Sequence, residues 1–201
     1  MSASTQTTAP ALSGRLRAST AALHEELDGL VMSTKPFDTL ENYGRFVAAQ
    51  YLFQRDIEGL YEDSSFLAMI PDLSTRPRLA AATADLGDLN VPVPGAVDGI
   101  GDLPLPEGLG WLYVSEGSKL GAAFLFKEAG AKLGLSETFG ARNLAAPEGG
   151  RAPTWKRFVE VLDNNDLSEA ERERVIAGAR AAFARFARHL RACYGLDASV
   201  A

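Results

Sequence analysis

GLGWLYVSEGSKLGAAFLFKEAGAKLGL, residues 108–135, carries apolar residues at spacings of three and four and predicts a helix over about 108–133. Gly117 and Gly121 are four apart and share one face of it. Tyr113 stands one turn earlier on that face, and Ser118 borders it. Glycine in a helix interior costs about 1 kcal/mol against alanine. Two on one face leave a strip of bare backbone that something must approach closely. Either a neighbouring helix packs tightly there, or a flat ligand lies against the backbone; the spacing allows both.

Outward from this stretch the chain is helical. Periodic segments predict helices over about 12–32, 39–62, 75–88, 155–162 and 168–194, the last capped by Ser168 with Glu171 in the capping-box position, and a short segment over 64–70 precedes Pro71. Gly/Pro-rich residues 90–107 and 146–153 read as loops. No strong strand alternation and no internal repeat occurs. The expectation is an all-α fold of about seven or eight helices. A chain of 201 residues, 46% hydrophobic and 23% charged, fits one domain, expected over 11–201 behind a disordered tail, 1–10.

Composition removes several function classes. Cys193 is the only cysteine, and His24 and His189 are the only histidines, so Cys/His zinc sites and multi-histidine iron sites are excluded. A formal charge of −6 argues against a nucleic-acid partner. The first nine residues lack the basic and apolar regions of a signal peptide, and no run approaches the ~20 apolar residues that span a bilayer. A cytoplasmic chain with no membrane partner is expected. His189, among Phe183, Phe186 and Leu190, reads as structural or surface, Cys193 as an unreactive thiol, and residues 148–150 as a turn. The arginine-rich face of the last helix reads as solvated, with docking of an acidic electron donor as the other reading.

His24 is the more telling histidine. It flanks the apolar stripe of the first helix, with Asp28 one turn later. A carboxylate behind an imidazole fixes the tautomer and raises ligand basicity, as metal-bound histidines commonly require. A partly buried helix histidine paired with an aspartate is the plainer alternative.

Taken together, LHEELDGLV (23–31), RFVAAQYLFQRDIEGLY (45–61), GWLYVSEGSKLGAAFLFKEAG (110–130) and FGARNLAAPEGGRAPTWKRF (139–158) resemble the bacterial haem oxygenases that serve iron acquisition or bilin supply. The resemblance implies a haem-oxygenase-like fold with haem b between the first, proximal helix and the glycine-containing distal helix. His24 then matches the iron ligand, Asp28 the carboxylate behind it, and Gly117 and Gly121 the distal glycines, with Ser118 in the same motif. Gln50 and Arg78 match positions that organise distal water, and Arg17 and Tyr113 match propionate contacts. Arg17 precedes His24 by seven residues, about 10 Å along the same face, a fair span from iron to a propionate. The implied reaction uses haem as substrate and cofactor with O2 and an electron donor, ferredoxin and/or a flavin reductase, and yields biliverdin, CO and Fe2+. A monomer is the family-like state.

One branch of that family turns haem in its pocket and opens it at the β or δ carbon. It has asparagine and phenylalanine where this chain has Arg17 and Tyr113, and propionate-holding lysines where this chain has Met32 and Glu128. Met32 cannot pair with a propionate, and Glu128 would repel one. These departures imply ordinary seating and biliverdin IXα. A non-catalytic haem carrier or sensor using the same His24 pocket is the alternative function, and a haem-free hydrolase using Cys193 a more distant one.

Overall fold

The computed structural model describes residues 11–95 and 99–196; the expected tail, 1–10, lies outside them. Among the described residues, seven α-helices follow one another: α1 (Leu12–Ser33), α2 (Leu40–Ile57), α3 (Ser64–Met69), α4 (Leu79–Asp88), α5 (Leu105–Leu133), α6 (Arg151–Asp163) and α7 (Glu169–Tyr194). Among the described residues, extended pairing is limited to isolated bridges from Ser136 to Phe139 and Gly140. No helix there is long and apolar enough to cross a membrane.

The helix ends follow local chemistry. Thr39 accepts the Asn42 N–H to start α2. Ser168 and Glu171 form the expected reciprocal capping box on α7. α5 and α7 stop at Gly134 and Gly195, both left-handed (φ 70° and 64°), the conformation that glycine adopts at least cost. Where the expected bounds differ, glycine and proline are the reason. The helix expected to reach 62 tightens into a 3-10 turn at Glu58–Tyr61 around Gly59. The helix expected from 75 begins at Leu79: Leu73–Thr75 form a separate 3-10 turn, and Pro77 has no N–H to donate into a continuing helix. α5 and α6 begin earlier than expected, because Pro106 and Pro153 sit within first turns, where proline gives up no intrahelical hydrogen bond.

α7 is the central support: α1, α2 and α5 all lean on it. One core cluster joins Leu12, Leu16, Phe53, Leu109, Leu112, Phe158, Val175 and Ile176. The other joins Val31, Phe46, Val47, Ala122, Ala129 and Leu190. The crossing of α5 over α7 is backbone against backbone. A Cβ on Gly110 would fall inside the Val175 carbonyl, and one on Gly178 inside the Glu107 carbonyl.

α2 is locked to α7 by a buried ionic triad. Asp56 accepts from Arg185 Nε at 2.5 Å and Nη2 at 3.0 Å, and pairs with His189 Nε2 at 2.7 Å. His189 is therefore structural, as expected. Arg185 corrects the solvated-face reading: it is only 8% exposed and turns inward. Cys193 is half-buried, and burial pushes its thiol pKa up, against a nucleophilic role.

Removing one partner of a buried ion pair strands the others, so Asp56→Ala should lower the unfolding free energy by about 3–5 kcal/mol, read by urea denaturation. Burial pushes the Asp56 carboxyl up, but the His189 and Arg185 hydrogen bonds outweigh it and hold it below the usual carboxylate range. Its contribution is thus complete above an unfolded pKa of ~3.9 and lost as pH falls further. The wild-type stability decline below about pH 4 should be shallower in Asp56→Ala.

Candidate functional site

α1 and α5 both rest on α7 and α6, yet make almost no direct contact with each other. Tyr113 joins them: its phenol engages the Thr20 hydroxyl of α1. Burial raises its pKa, partly offset by that hydrogen bond and by the charge of Arg17. From there α1 presents Arg17, His24 and Asp28 on one face, and α5 presents Tyr113, Gly117, Gly121 and Phe124 on one face.

The proximal side is built around His24. Its ring stands edge-on to Phe183 of α7, centroids 6.0 Å apart. Its Nδ1 lies 3.1 Å from Asp28 Oδ2, and its side chain is 66% exposed. The plainer reading of a partly buried histidine therefore fails, while the carboxylate pairing holds. With Nδ1 engaged by Asp28, Nε2 is the nitrogen that can bind a metal. Among the described residues no three His, Cys, Asp or Glu side chains gather into a metal cage. An iron held here would have to bring most of its own ligands, with His24 as the protein's contribution.

The distal side settles the ambiguity of the two glycines. A Cβ on Gly121 would meet nothing within 4 Å. One on Gly117 would touch only the Trp155 ring at 3.5 Å, an ordinary contact. No neighbouring helix requires either glycine, unlike Gly108, where a Cβ would run into Phe66, or Gly110. The tight-packing reading is thereby removed. Phe124, 55% exposed on the same face, extends the strip as an apolar wall. Bare backbone, an apolar wall, one imidazole, and a phenol and a guanidinium on the two helices suit a flat apolar macrocycle bearing iron and carboxylates.

The remaining expected residues are placed as follows. Gln50 lies on α2 with its Oε1 buried and unpartnered, as is Oε1 of Gln54 one turn on. Buried acceptors of this kind call for hydrogen-bond donors that the described side chains do not supply. Ser118 donates to the Ser115 carbonyl at 2.7 Å. Arg78 directs its terminal nitrogens to the carbonyls of Arg142 (3.4 Å) and Ala145 (3.0 Å). Met32 is exposed, and Glu128 pairs with Lys132 at 3.0 Å. Two surface concavities, one beside Trp111 and Arg185 and one beside Asp72 and Arg157, share no residue with this cleft.

Sequence reasoning missed three features. Trp155 of α6 stands against Gly117 and 5.5 Å from the Tyr113 ring centroid; no periodicity signals it. Gln54 was detectable only as Gln50 plus four. Behind the distal strip, buried Glu116 meets Lys119 (2.5 Å), Arg76 (3.1 Å) and Tyr61 (3.0 Å). The Glu116/Lys119 spacing was legible, but in sequence it reads as a surface pair. Burial lowers the Lys119 pKa, and Glu116 works against that shift.

Comparison with known proteins gives a consistent picture. The heme oxygenase family model matches residues 10–192. The chain is 53% identical over 176 residues to heme oxygenase PigA of Pseudomonas aeruginosa, covering 87% of this chain and 88% of that protein. It superposes on the NO- and CO-bound heme oxygenase of Neisseria meningitidis with a TM-score of 0.89 and 39% identity, covering 96% of both chains. The heme oxygenase of Leptospira interrogans shares the fold at a TM-score of 0.71 and 18% identity, covering 90% of this chain and 98% of that one.

Because no protein atom needs Gly121 to lack a side chain, Gly121→Ala should raise the ligand-free unfolding free energy by about 0.5–1 kcal/mol. Gly110→Ala should instead lower it by about 1–3 kcal/mol, since overpacking at a backbone contact forces the helices apart. Chemical denaturation of both variants checks the pair.

Proposed function

The chain belongs to the haem oxygenase family, and from that premise we propose that it holds haem between α1 and α5 with His24 as iron ligand and opens it to biliverdin IXα. Oxidative degradation of haem to biliverdin is the family's activity, with haem and O2 as substrates. Residues 11–201 are read as one catalytic domain, working as a cytoplasmic monomer with electrons from ferredoxin and/or a flavin reductase. The observation that carries the haem seating is the pair of glycines, Gly117 and Gly121, that no neighbouring helix requires.

When bound, haem supplies the iron at which O2 is activated and the meso carbon that is attacked. His24 contributes a neutral nitrogen, oriented by Asp28 and by the Phe183 edge. An imidazole, unlike a thiolate, does not push electron density strongly towards O–O cleavage, which suits hydroxylation of the ring. Gly117 and Gly121 let the distal backbone approach the ring face and steer O2 along it. Ser118 ties its hydroxyl to the Ser115 carbonyl, directing polarity away from the strip. No imidazole serves the distal side, because His189 is buried against Asp56. Protons are therefore assigned to ordered water organised by Gln50, with Arg78 holding the loop at 142–145 behind it.

Regiochemistry follows from the charges at the rim. Arg17 can pair with a propionate, and the phenol of Tyr113, which feels the Arg17 charge, can donate a hydrogen bond. Glu128, already paired with Lys132, offers a turned propionate only repulsion. This favours seating that presents the α carbon.

Haemin added to the purified protein should give a ferric haem spectrum, and ascorbate in air with catalase should convert it to one main bilin. Chromatography should identify that bilin as the IXα isomer; mainly β or δ product contradicts the seating. His24→Ala should lose the wild-type ferric spectrum and most turnover. Asp28→Ala should bind haem ~10-fold more weakly, the usual scale for losing the partner behind a metal-bound histidine.

A further inference from the structure

Arg151, the first residue of α6, follows Gly150 (φ 87°). It forms no ion pair among the described residues. Its fork instead grips two backbone carbonyls: Nη1 donates to Lys119 O at 2.6 Å and Nη2 to Leu144 O at 2.6 Å. Lys119 lies midway between Gly117 and Gly121, so its carbonyl belongs to the turn of bare backbone itself. A helix carbonyl that accepts a second, outside donor tilts away from the axis and bends the helix locally. Ser118 does the same to the Ser115 carbonyl one turn earlier.

Residue 119 is held from another direction as well. Lys119 Nζ donates to Glu116 Oε1 at 2.5 Å and to the Arg76 carbonyl at 2.8 Å. Its side chain and its carbonyl are thus anchored by separate groups, in the one turn of α5 where Gly117 and Gly121 leave the outer face without side chains. The Leu144 end of the Arg151 fork sits in a loop that is fixed independently. Asp85 accepts the N–H groups of Arg142 (2.9 Å) and Asn143 (2.8 Å), and Arg78 donates to the Arg142 and Ala145 carbonyls. That loop has these anchors besides Arg151, so what Arg151 adds for α5 is the bond to the Lys119 carbonyl.

We infer that Arg151 is a positioning residue: by holding the Lys119 carbonyl from behind, it sets how closely the Gly117–Gly121 backbone leans over the haem face. The inference rests on the haem seating proposed above, and wild-type haem binding tests that seating separately.

The test uses the full chain as wild type, Arg151→Ala, Arg151→Gln and Arg151→Lys. The haem-loaded, reduced proteins are placed under CO, and the C–O stretch reports the distal surroundings. Amide exchange at residues 119–124 of the haem-free proteins reports the helix directly. Arg151→Ala and Arg151→Gln should shift and broaden the stretch, speed that exchange and cut ascorbate-driven turnover ~10-fold, the scale of a small misplacement in a reacting geometry. Their haem affinity should remain near wild type. Arg151→Lys, which can still reach one carbonyl, should recover most of the stretch and the turnover. An unchanged stretch and turnover in Arg151→Ala overturns the inference. So does a loss in all three variants that tracks a lowered unfolding temperature, which would make Arg151 a purely structural staple.

Discussion

Where α5 crosses α7, Gly110 and Gly178 let two backbones touch, each filling the space where the other would need a Cβ. That contact fixes the height and direction of the distal helix over the rest of the molecule. α1 rests on the same α7, with Phe183 against His24. One helix thus sets both walls, and the gap between them is a consequence of how far apart α1 and α5 land on it. The Asp56–Arg185–His189 triad then ties α2 to that support. Its cost in desolvation suits a place where register matters more than net stability.

The glycines of α5 fall into two groups that only structure can separate. Gly108 and Gly110 are demanded by Phe66 and by α7, whereas Gly117 and Gly121 are demanded by no protein atom. In sequence all four read alike, as weak points in a helix. On the proposed haem seating, the local cost of the second group, about 1 kcal/mol each, is offset when haem approaches the bare backbone.

Much of the architecture was legible because helix periodicity and caps are local signals: Ser168/Glu171, and the face shared by Tyr113, Gly117 and Gly121. His24 with Asp28 was legible for the same reason, being one turn apart on one helix. What escaped was long-range. Arg185 looked like one more solvated arginine until Asp56, from a different helix, lay beneath it. Glu116 and Lys119, three apart on α5, are buried because Arg76 and Tyr61 from other segments close over them. Trp155 and Arg151 act on α5 from α6, across a loop, and no spacing encodes such contacts.

The central claim is that the glycine strip is kept open for haem. Its most direct test is the rise in unfolding temperature on adding one equivalent of haemin, compared between wild type and the Gly117→Ala/Gly121→Ala double variant, since a ligand stabilises the state it binds in proportion to its affinity. The account predicts that the double variant starts higher without haemin and gains clearly less from it. An equal gain in the two proteins would contradict it, and would return the glycines to the status of unexplained weak points in α5.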